Sequence, residues 1–98
     1  MIVKSSRAFR GALERLDRSE QLLVLKTVEQ IKSSKGVKGK ELSGPLHDCK
    51  SLRTGHHSRL RIVFSAAPKQ PIQLLIVGPR ERGIVYIQAI QVLKELER

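Results

Sequence analysis

The chain is poor in the residues that build disulfides, metal cages and aromatic surfaces. It has no tryptophan and three other aromatic residues, Phe9, Phe64 and Tyr86, and its one cysteine is Cys49. One cysteine forms no intramolecular disulfide and no zinc cage, so the composition favours a reducing compartment, and we expect the cytoplasm. The core needs both phenylalanines, which leaves too few aromatics for a base-stacking platform. Autonomous binding of single-stranded nucleic acid is therefore disfavoured.

Acidic residues and long apolar runs are also scarce. Asp and Glu number 9 against 19 Lys and Arg, a formal net charge of +10, which favours polyanionic partners such as RNA, DNA, the ribosome or an acidic protein. Nowhere do about 18 consecutive apolar residues occur, and residues 1–7 lack the apolar run of a secretion signal. We therefore expect a soluble intracellular protein without a membrane partner.

Helical spacing organises the first third of the chain, which we take to be part of a single domain spanning residues 1–98. Four apolar residues between positions 9 and 16 predict a first helix, with Ser5 or Ser6 as its N-cap. Asp17, followed by Glu20, suits a capping-box variant that opens a second helix. The connection is short, so the two helices form a hairpin. The predicted buried face of the second helix consists of Leu22, Val24, Leu25, Val28 and Ile31.

Apolar and β-branched runs dominate the second half. The runs 60–65 and 72–77 predict two strands joined by a hairpin, and 50–54 predicts a shorter one. The glycines, lysines and serines of 33–45 break any helix and predict a mobile basic loop. A short strand is predicted at 2–4. Apolar residues at helical spacing from Val85 to Leu96 predict a final helix.

Short connections between consecutive strands predict antiparallel pairing. The expected fold class is α+β, with an N-terminal helical hairpin packed on a small twisted antiparallel sheet and a C-terminal helix. We expect the helices to lie on one face of the sheet and to bury its apolar side, which leaves the opposite face for function. On a strand predicted over 58–65, Arg59 and Arg61 lie two residues apart and are expected to point the same way, away from Leu60, Ile62 and Phe64.

Several short motifs, in this order and spacing after a helical hairpin, resemble the RelE/ParE toxin superfamily of type II toxin–antitoxin modules. The resemblance spans nearly the whole chain. It implies a small α+β fold whose sheet cradles an active surface, and a cognate antitoxin as partner. RelE-like members are mRNA interferases that cleave the message in the ribosomal A site, whereas ParE-like members poison DNA gyrase. The motifs are Leu42-Ser43-Gly44-Pro45-Leu46, Ser51-Leu52-Arg53, Arg61-Ile62-Val63-Phe64, Ile76-Val77-Gly78-Pro79-Arg80-Glu81-Arg82 and Val85-Tyr86.

For the nuclease branch, the resemblance implies that Arg61, Arg80 and Tyr86 are the catalytic residues. Cleavage through the RNA 2′-hydroxyl needs cations that stabilise a phosphorane and a group that moves a proton. The planar, permanently charged guanidinium suits the first task, and Tyr86 would shuttle a proton or stack on a base. Because the nucleophile is internal to the RNA, no metal or other cofactor is required. The predicted RNA-binding residues are Lys50, Arg53, His56, His57, Arg59 and Arg82.

Some alternatives stay open at the level of sequence. An ungapped register turns Lys50 away from the site, and a long turn lets Arg59 take the place of Arg61. Arginines on an exposed strand are ordinarily solvated, and Cys49 is more often a small buried residue than a nucleophile. We expect a ribosome-dependent mRNA endonuclease, with a gyrase-inhibiting toxin, or an inactive relative that only binds a partner, as the alternatives.

Overall fold

The computed structural model describes residues 3–97, which form three α-helices, five β-strands and short turns between them. The predicted strands at 60–65 and 72–77, and the hairpin between them, are confirmed. Residue 2 of the strand predicted at 2–4 lies outside the described residues. The elements are β1 (Val3–Ser5), α1 (Arg7–Glu14), α2 (Arg18–Ser33), β2 (Lys40–Glu41), β3 (Cys49–Thr54), β4 (Leu60–Ser65), β5 (Ile72–Pro79) and α3 (Ile84–Leu96).

Side-chain caps fix where the first two helices begin. Of the two candidate serines, Ser6 caps α1: its hydroxyl accepts from the Phe9 amide at 2.9 Å and donates to the Leu75 carbonyl at 2.7 Å. Asp17 caps α2 by accepting from the Glu20 amide at 2.9 Å. Such caps each contribute about 1 kcal/mol, and the predicted hairpin follows from them.

The sheet has the order β1-β5-β4-β3-β2. The antiparallel pairing predicted for the three long strands is confirmed, and β2 extends it on one side. On the other side β1 pairs with β5 in parallel, which makes the sheet mixed. Both helices of the hairpin lie in the connection between β1 and β5, and parallel pairing requires a long connection of this kind.

The segment 33–45, predicted as a mobile loop, contains structure. Its residues Lys40–Glu41 form β2, and a turn of 3-10 helix follows at Gly44–Leu46, with Leu46 buried. Because β2 is held by its backbone hydrogen bonds to β3, the side-chain pattern gives no signal for it.

Helices cover both faces of the sheet, so the expectation that they cover only one is wrong. Alternate residues of β4 enter two separate clusters: Ile62 and Phe64 pack towards α1 and α2, whereas Val63 packs towards α3. The reason lies in β5, where residues 74–77 are all buried. A strand that is apolar on both sides needs cover on both sides. The first cluster includes Phe9, Val24, Ile31, Leu60 and Ile72, and the second Cys49, Leu75, Val85, Ala89 and Val92.

The buried face of α2 is also partly different from the prediction. Val24 and Ile31 are buried as expected, but Leu22 and Leu25 are 54% and 47% exposed. Polar residues replace them: Glu20 and Thr27 are buried, and the Thr27 hydroxyl lies 2.7 Å from that of Thr54 on β3. Polar side chains can be buried when they find partners, and those partners come from distant parts of the chain.

Candidate functional site

A groove crosses the face of the sheet that carries α3, beside the first turn of that helix. Its volume is about 470 Å³. Three of its lining residues are cationic and none is a carboxylate, so the groove is suited to an anionic ligand. The lining residues are Gly39, Lys40, Ser51, Leu52, Arg53, Arg61 and Tyr86.

The strand register places Arg53 and Arg61 side by side. They are directly paired between β3 and β4, and Arg61 is paired in turn with Gly78 on β5. Residues opposed in this way point to the same face of a sheet. A side chain added at Gly78 would come within 3.6 Å of Val85 and 3.5 Å of Gln88, both on α3. The two arginines therefore lie on the α3 face.

The turn between β5 and α3 brings Tyr86 to the groove. Within the 3-10 segment Glu81–Gly83, Arg82 and Gly83 have φ values of 55° and 67°, in the left-handed region. This reversal starts α3 immediately over the sheet. Tyr86, in the first turn of α3, is half-buried and is the aromatic residue of the groove lining.

The two guanidiniums of the groove are held differently. Arg61 donates from Nη1 to the carbonyls of Ser58 and Leu60 at 2.7 and 3.0 Å, so the preceding turn fixes its side chain. Arg53 is exposed. Within residues 3–97 neither arginine forms an ion pair. Two adjacent positive charges without a carboxylate repel each other and would attract a phosphate.

Arg80 and Arg82 stand at the rim. Arg80 directly follows β5, and its backbone amide donates to the Arg59 carbonyl at 3.1 Å. Both arginine side chains are exposed, and neither lines the groove. Arg80 is nevertheless only two residues beyond Gly78, the partner of Arg61, so the two predicted catalytic arginines lie at the same end of the sheet.

The prediction that Arg59 and Arg61 point the same way is wrong. β4 begins only at Leu60, and Arg59 has helical φ and ψ of −70° and −23°, so strand alternation does not extend to it. Its Nη2 lies 3.5 Å from Oε1 of Glu20 on α2. His56 turns to the same helix, since its Nε2 lies 2.9 Å from the Ser19 hydroxyl.

Lys50 and His57 are not in the groove either. Lys50 is paired with Phe64, which packs towards α2, and its Nζ donates to the carbonyls of Gly36 and Val37 at 3.1 and 3.0 Å. Lys50 therefore faces away from the groove, and its two hydrogen bonds join β3 to the basic loop. His57 is exposed in the β3–β4 turn with a φ of 55°. Of the six predicted RNA-binding residues, only Arg53 lines the groove.

Lys40 is a cation of the groove that the sequence did not single out. Lys40 on β2 pairs with Ser51 on β3. Ser51 is two residues before Arg53, so Lys40 lies on the same face of the sheet as Arg53. The available signal was its place among the lysines of 33–45, but that segment offers no alternation to fix a strand.

Cys49 and the histidines offer no alternative centre. Cys49 is buried as expected, and burial, followed by the nearby Asp48 charge, raises the pKa of its thiol to about 11. In the part of the chain that the structure describes, no group of three His, Cys, Asp or Glu side chains could hold a metal ion.

None of the helices described there is long and apolar enough to cross a membrane.

These features define a class: a small α+β protein in which helices flank a mixed sheet and one end of that sheet carries a cationic groove. No protein-family model and no curated protein matches the sequence. Solved structures do share the fold, and they show that it is the fold of the RelE toxins, as the sequence motifs predicted.

The similar structures come from a bacterium and an archaeon. A free-state double arginine-to-alanine mutant of the E. coli toxin RelE has a TM-score of 0.75 at 18% identity, covering 92% of this chain and 94% of that one. The isolated E. coli RelE toxin gives 0.69 at 18%, covering 94% and 97%. The archaeal RelE–RelB complex from Pyrococcus horikoshii OT3 gives 0.58 at 19%, covering 83% and 96%.

Proposed function

We propose that this protein is the toxin of a type II toxin–antitoxin module and cleaves mRNA on the ribosome. The observation that carries the proposal is the groove on a RelE-like fold in which Arg53 and Arg61 lie side by side next to Tyr86, with no carboxylate in the lining. Such a groove would accept the phosphate of an RNA backbone and favour the extra negative charge of a phosphorane.

Each residue then has a role that its position allows. Arg61, fixed by the turn carbonyls, stabilises the phosphorane, and Arg53 and Lys40 bind the flanking backbone. Arg80, at the rim of the groove, neutralises the negative charge that develops on the leaving 5′-oxygen of the RNA. Tyr86 moves a proton or stacks on a base, since it is the residue of the groove that can do either.

The scarcity of accessible aromatics supports dependence on the ribosome. Phe9 and Phe64 are 2% and 0% exposed, so neither is free to stack on RNA. A protein with one aromatic in its groove would hold a flexible message poorly by itself. Ribosomal RNA that already orients the message would supply the missing positioning.

An antitoxin with an acidic, extended segment is the partner we propose. A net charge of +10 would both steer and strengthen such a contact, and the archaeal relative in fold was solved as a RelE–RelB complex. We place the whole system in the cytoplasm, where message, ribosome and antitoxin meet.

A ParE-like inhibitor of DNA gyrase is the second candidate. The groove lining contains no histidine and no carboxylate, the residues that most often serve as general bases. A cationic surface without a general base can act by binding alone. On this alternative Arg53 and Arg61 would contact the gyrase–DNA complex, and the message would stay intact.

The deciding experiment is cell-free translation of a defined message, with 5′ ends mapped by primer extension with and without ribosomes. Arg61→Ala and Arg80→Ala should each lower ribosome-dependent cleavage by about 10²–10³-fold without unfolding the protein. Lys26→Ala, which removes an exposed cation from the outer side of α2, should leave cleavage unchanged.

Two further arms separate the alternatives. A chelator should not affect cleavage on intact ribosomes; activity that disappears with chelator and returns with added metal would contradict the 2′-hydroxyl mechanism. An intact message together with DNA damage in cells would favour gyrase inhibition. If the message stays intact and no DNA damage occurs, the protein is a relative that only binds a partner.

A further inference from the structure

A buried carboxylate on α2 faces the turn that carries the candidate site. Glu20 is 2% exposed. Its Oε2 is the one buried side-chain oxygen or nitrogen of residues 3–97 that has no hydrogen-bond partner within them. Burying an ionisable group with half of its oxygens unpaired is unfavourable unless other contacts compensate for it. A leucine at this position would fill the same space without that cost, so packing alone does not account for a carboxylate here.

The polar contacts of the Glu20 carboxylate lead to the β3–β4 turn. Its Oε1 accepts from the His56 backbone amide at 3.1 Å and lies 3.5 Å from Nη2 of Arg59. Its Oε2 lies against Gly55, where an added side chain would come within 2.6 Å. Glu20 is thus fitted to the start of the turn, which begins at Gly55 with a φ of 82°.

The backbone of the β3–β4 turn is in a strained conformation. After Gly55, the non-glycine residues His57 and Ser58 also have positive φ values, of 55° and 56°. Residues other than glycine adopt this conformation at a cost, so external contacts must hold it. The hydrogen bond from the His56 amide to the Glu20 carboxylate supplies such a contact at the start of the turn.

Both predicted catalytic arginines depend on the same turn. Arg61 donates to the carbonyl of Ser58, inside the turn, and the backbone amide of Arg80 donates to the carbonyl of Arg59, at its end. A shift of the turn would therefore move one anchor of each arginine. Glu20 itself lies on the opposite side of the sheet from the groove, since α2 packs on that face.

We propose that Glu20 is a positioning residue: by accepting from the His56 amide it holds the β3–β4 turn, and through that turn it sets the places of Arg61 and Arg80. It touches no substrate. The activity part of this inference rests on the proposed function, whereas the part that concerns the turn does not.

Two substitutions at Glu20 and one control test it. Glu20→Met keeps the volume but removes the acceptor, and Glu20→Gln keeps an acceptor for the His56 amide. Thr27→Val is the matched control, because it removes a buried polar contact of α2 with Thr54, the last residue of β3, and leaves the hydrogen bond from the His56 amide to the Glu20 carboxylate in place. All three are compared with the wild type by thermal unfolding, amide hydrogen exchange and cleavage kinetics on ribosomes.

In Glu20→Met we expect the Arg80 amide to exchange at least about tenfold faster while core amides such as Val63 keep their protection, and the melting temperature to stay at or above that of the wild type. We expect kcat to fall at least about tenfold with little change in KM, because the arginines are displaced rather than removed. Glu20→Gln should restore both properties. Thr27→Val should lower the melting temperature without a selective effect on Arg80 or kcat.

Other outcomes overturn the proposal. Unchanged protection of Arg80 in Glu20→Met would show that the turn holds itself, and a loss of protection throughout the core would show a merely structural role. If Glu20→Met does not fold, hydrogen exchange of the wild type decides. The amides of His56 and Arg80 should open together, with the same opening free energy. Two different opening free energies would refute the coupling. If the wild type cleaves no message, the proposed function fails, but the exchange results still decide the role of Glu20.

Discussion

Replacing Arg53 by glutamine should stabilise the fold and weaken the binding of RNA at the same time. Arg53 is directly paired with Arg61, it is exposed, and it has no ion-pair partner within residues 3–97. Like charges directly opposed on a sheet cost about 0.2–1 kcal/mol. For a domain of this size that corresponds to a rise in melting temperature of about 1–8 °C.

The salt dependence gives this prediction its sharpest test. At about 0.01 M salt the screening length is about 30 Å, and at about 1 M it is about 3 Å, so the stabilisation should be present in the first condition and largely vanish in the second. Binding to ribosomes that carry a defined message, measured by fluorescence anisotropy of the labelled protein, should weaken about 10–100-fold because one charged hydrogen bond to phosphate is lost. The slope of log affinity against log salt should fall by about 0.7.

Lys26→Gln is the charge-matched control, because it lowers the net charge by one at an exposed position on α2. Its effects on the melting temperature and on the RNA affinity should both be smaller than those of Arg53→Gln. A melting temperature that falls in Arg53→Gln, or a rise that persists unchanged at high salt, would show that the two guanidiniums do not face each other across the strands.

Three other predictions concern the fold. Ile31→Ala should lower the free energy of unfolding by about 2–5 kcal/mol and Leu22→Ala by less than about 0.5 kcal/mol, measured by chemical denaturation; equal losses would contradict the orientation of α2. A hydrogen bond from the Glu20 amide, followed by one from the Ser19 hydroxyl, lowers the pKa of Asp17 below 3.8, so the stability it gives is present above that pH and is lost as the pH falls further. In Asp17→Asn this loss of stability at acid pH should be absent. If the melting temperatures of the wild type and the variant change equally between about pH 5 and pH 2, the cap by Asp17 is ruled out. Because burial raises the pKa of the Cys49 thiol to about 11, iodoacetamide at neutral pH should modify the native protein far more slowly than the denatured one, and equal rates would contradict a buried thiol.

Local chemistry made much of this fold predictable. The N-caps follow from short polar side chains before apolar runs, and the strand Leu60–Ser65 follows from its β-branched and apolar composition. The pairing of β3, β4 and β5 follows from their short connections. In these cases the information lies within a few residues of the element it defines.

The rest depended on contacts between distant residues. The apolar pattern of α2 allows either Val24 and Ile31 or Leu22 and Leu25 to face the core. The contact of Thr27 with Thr54 on β3 favours the face that buries Val24 and Ile31. Within the site, the pairing of Arg53 with Arg61 requires the register of β3 on β4, which no single strand contains.

Arg59 shows the same limit at the scale of one residue. Its alternation with Arg61 assumed an extended backbone, but the chain at Arg59 is still helical after the positive φ values of His57 and Ser58. A carboxylate on α2, far away in sequence, then takes the side chain of Arg59. Whether the arginines, Tyr86 and Lys40 act on RNA stays a prediction.

The parallel pairing of β1 with β5 has a consequence for the order in which the protein folds during synthesis. The Ser6 hydroxyl and the Leu75 carbonyl that close this edge are 69 residues apart in the chain. Contacts of such long sequence separation form late, and the first strand has no partner until the fifth has left the ribosome. Tyr86 emerges later still. The groove therefore cannot form before Tyr86 has emerged, and whatever activity it carries is absent from the shorter nascent chain.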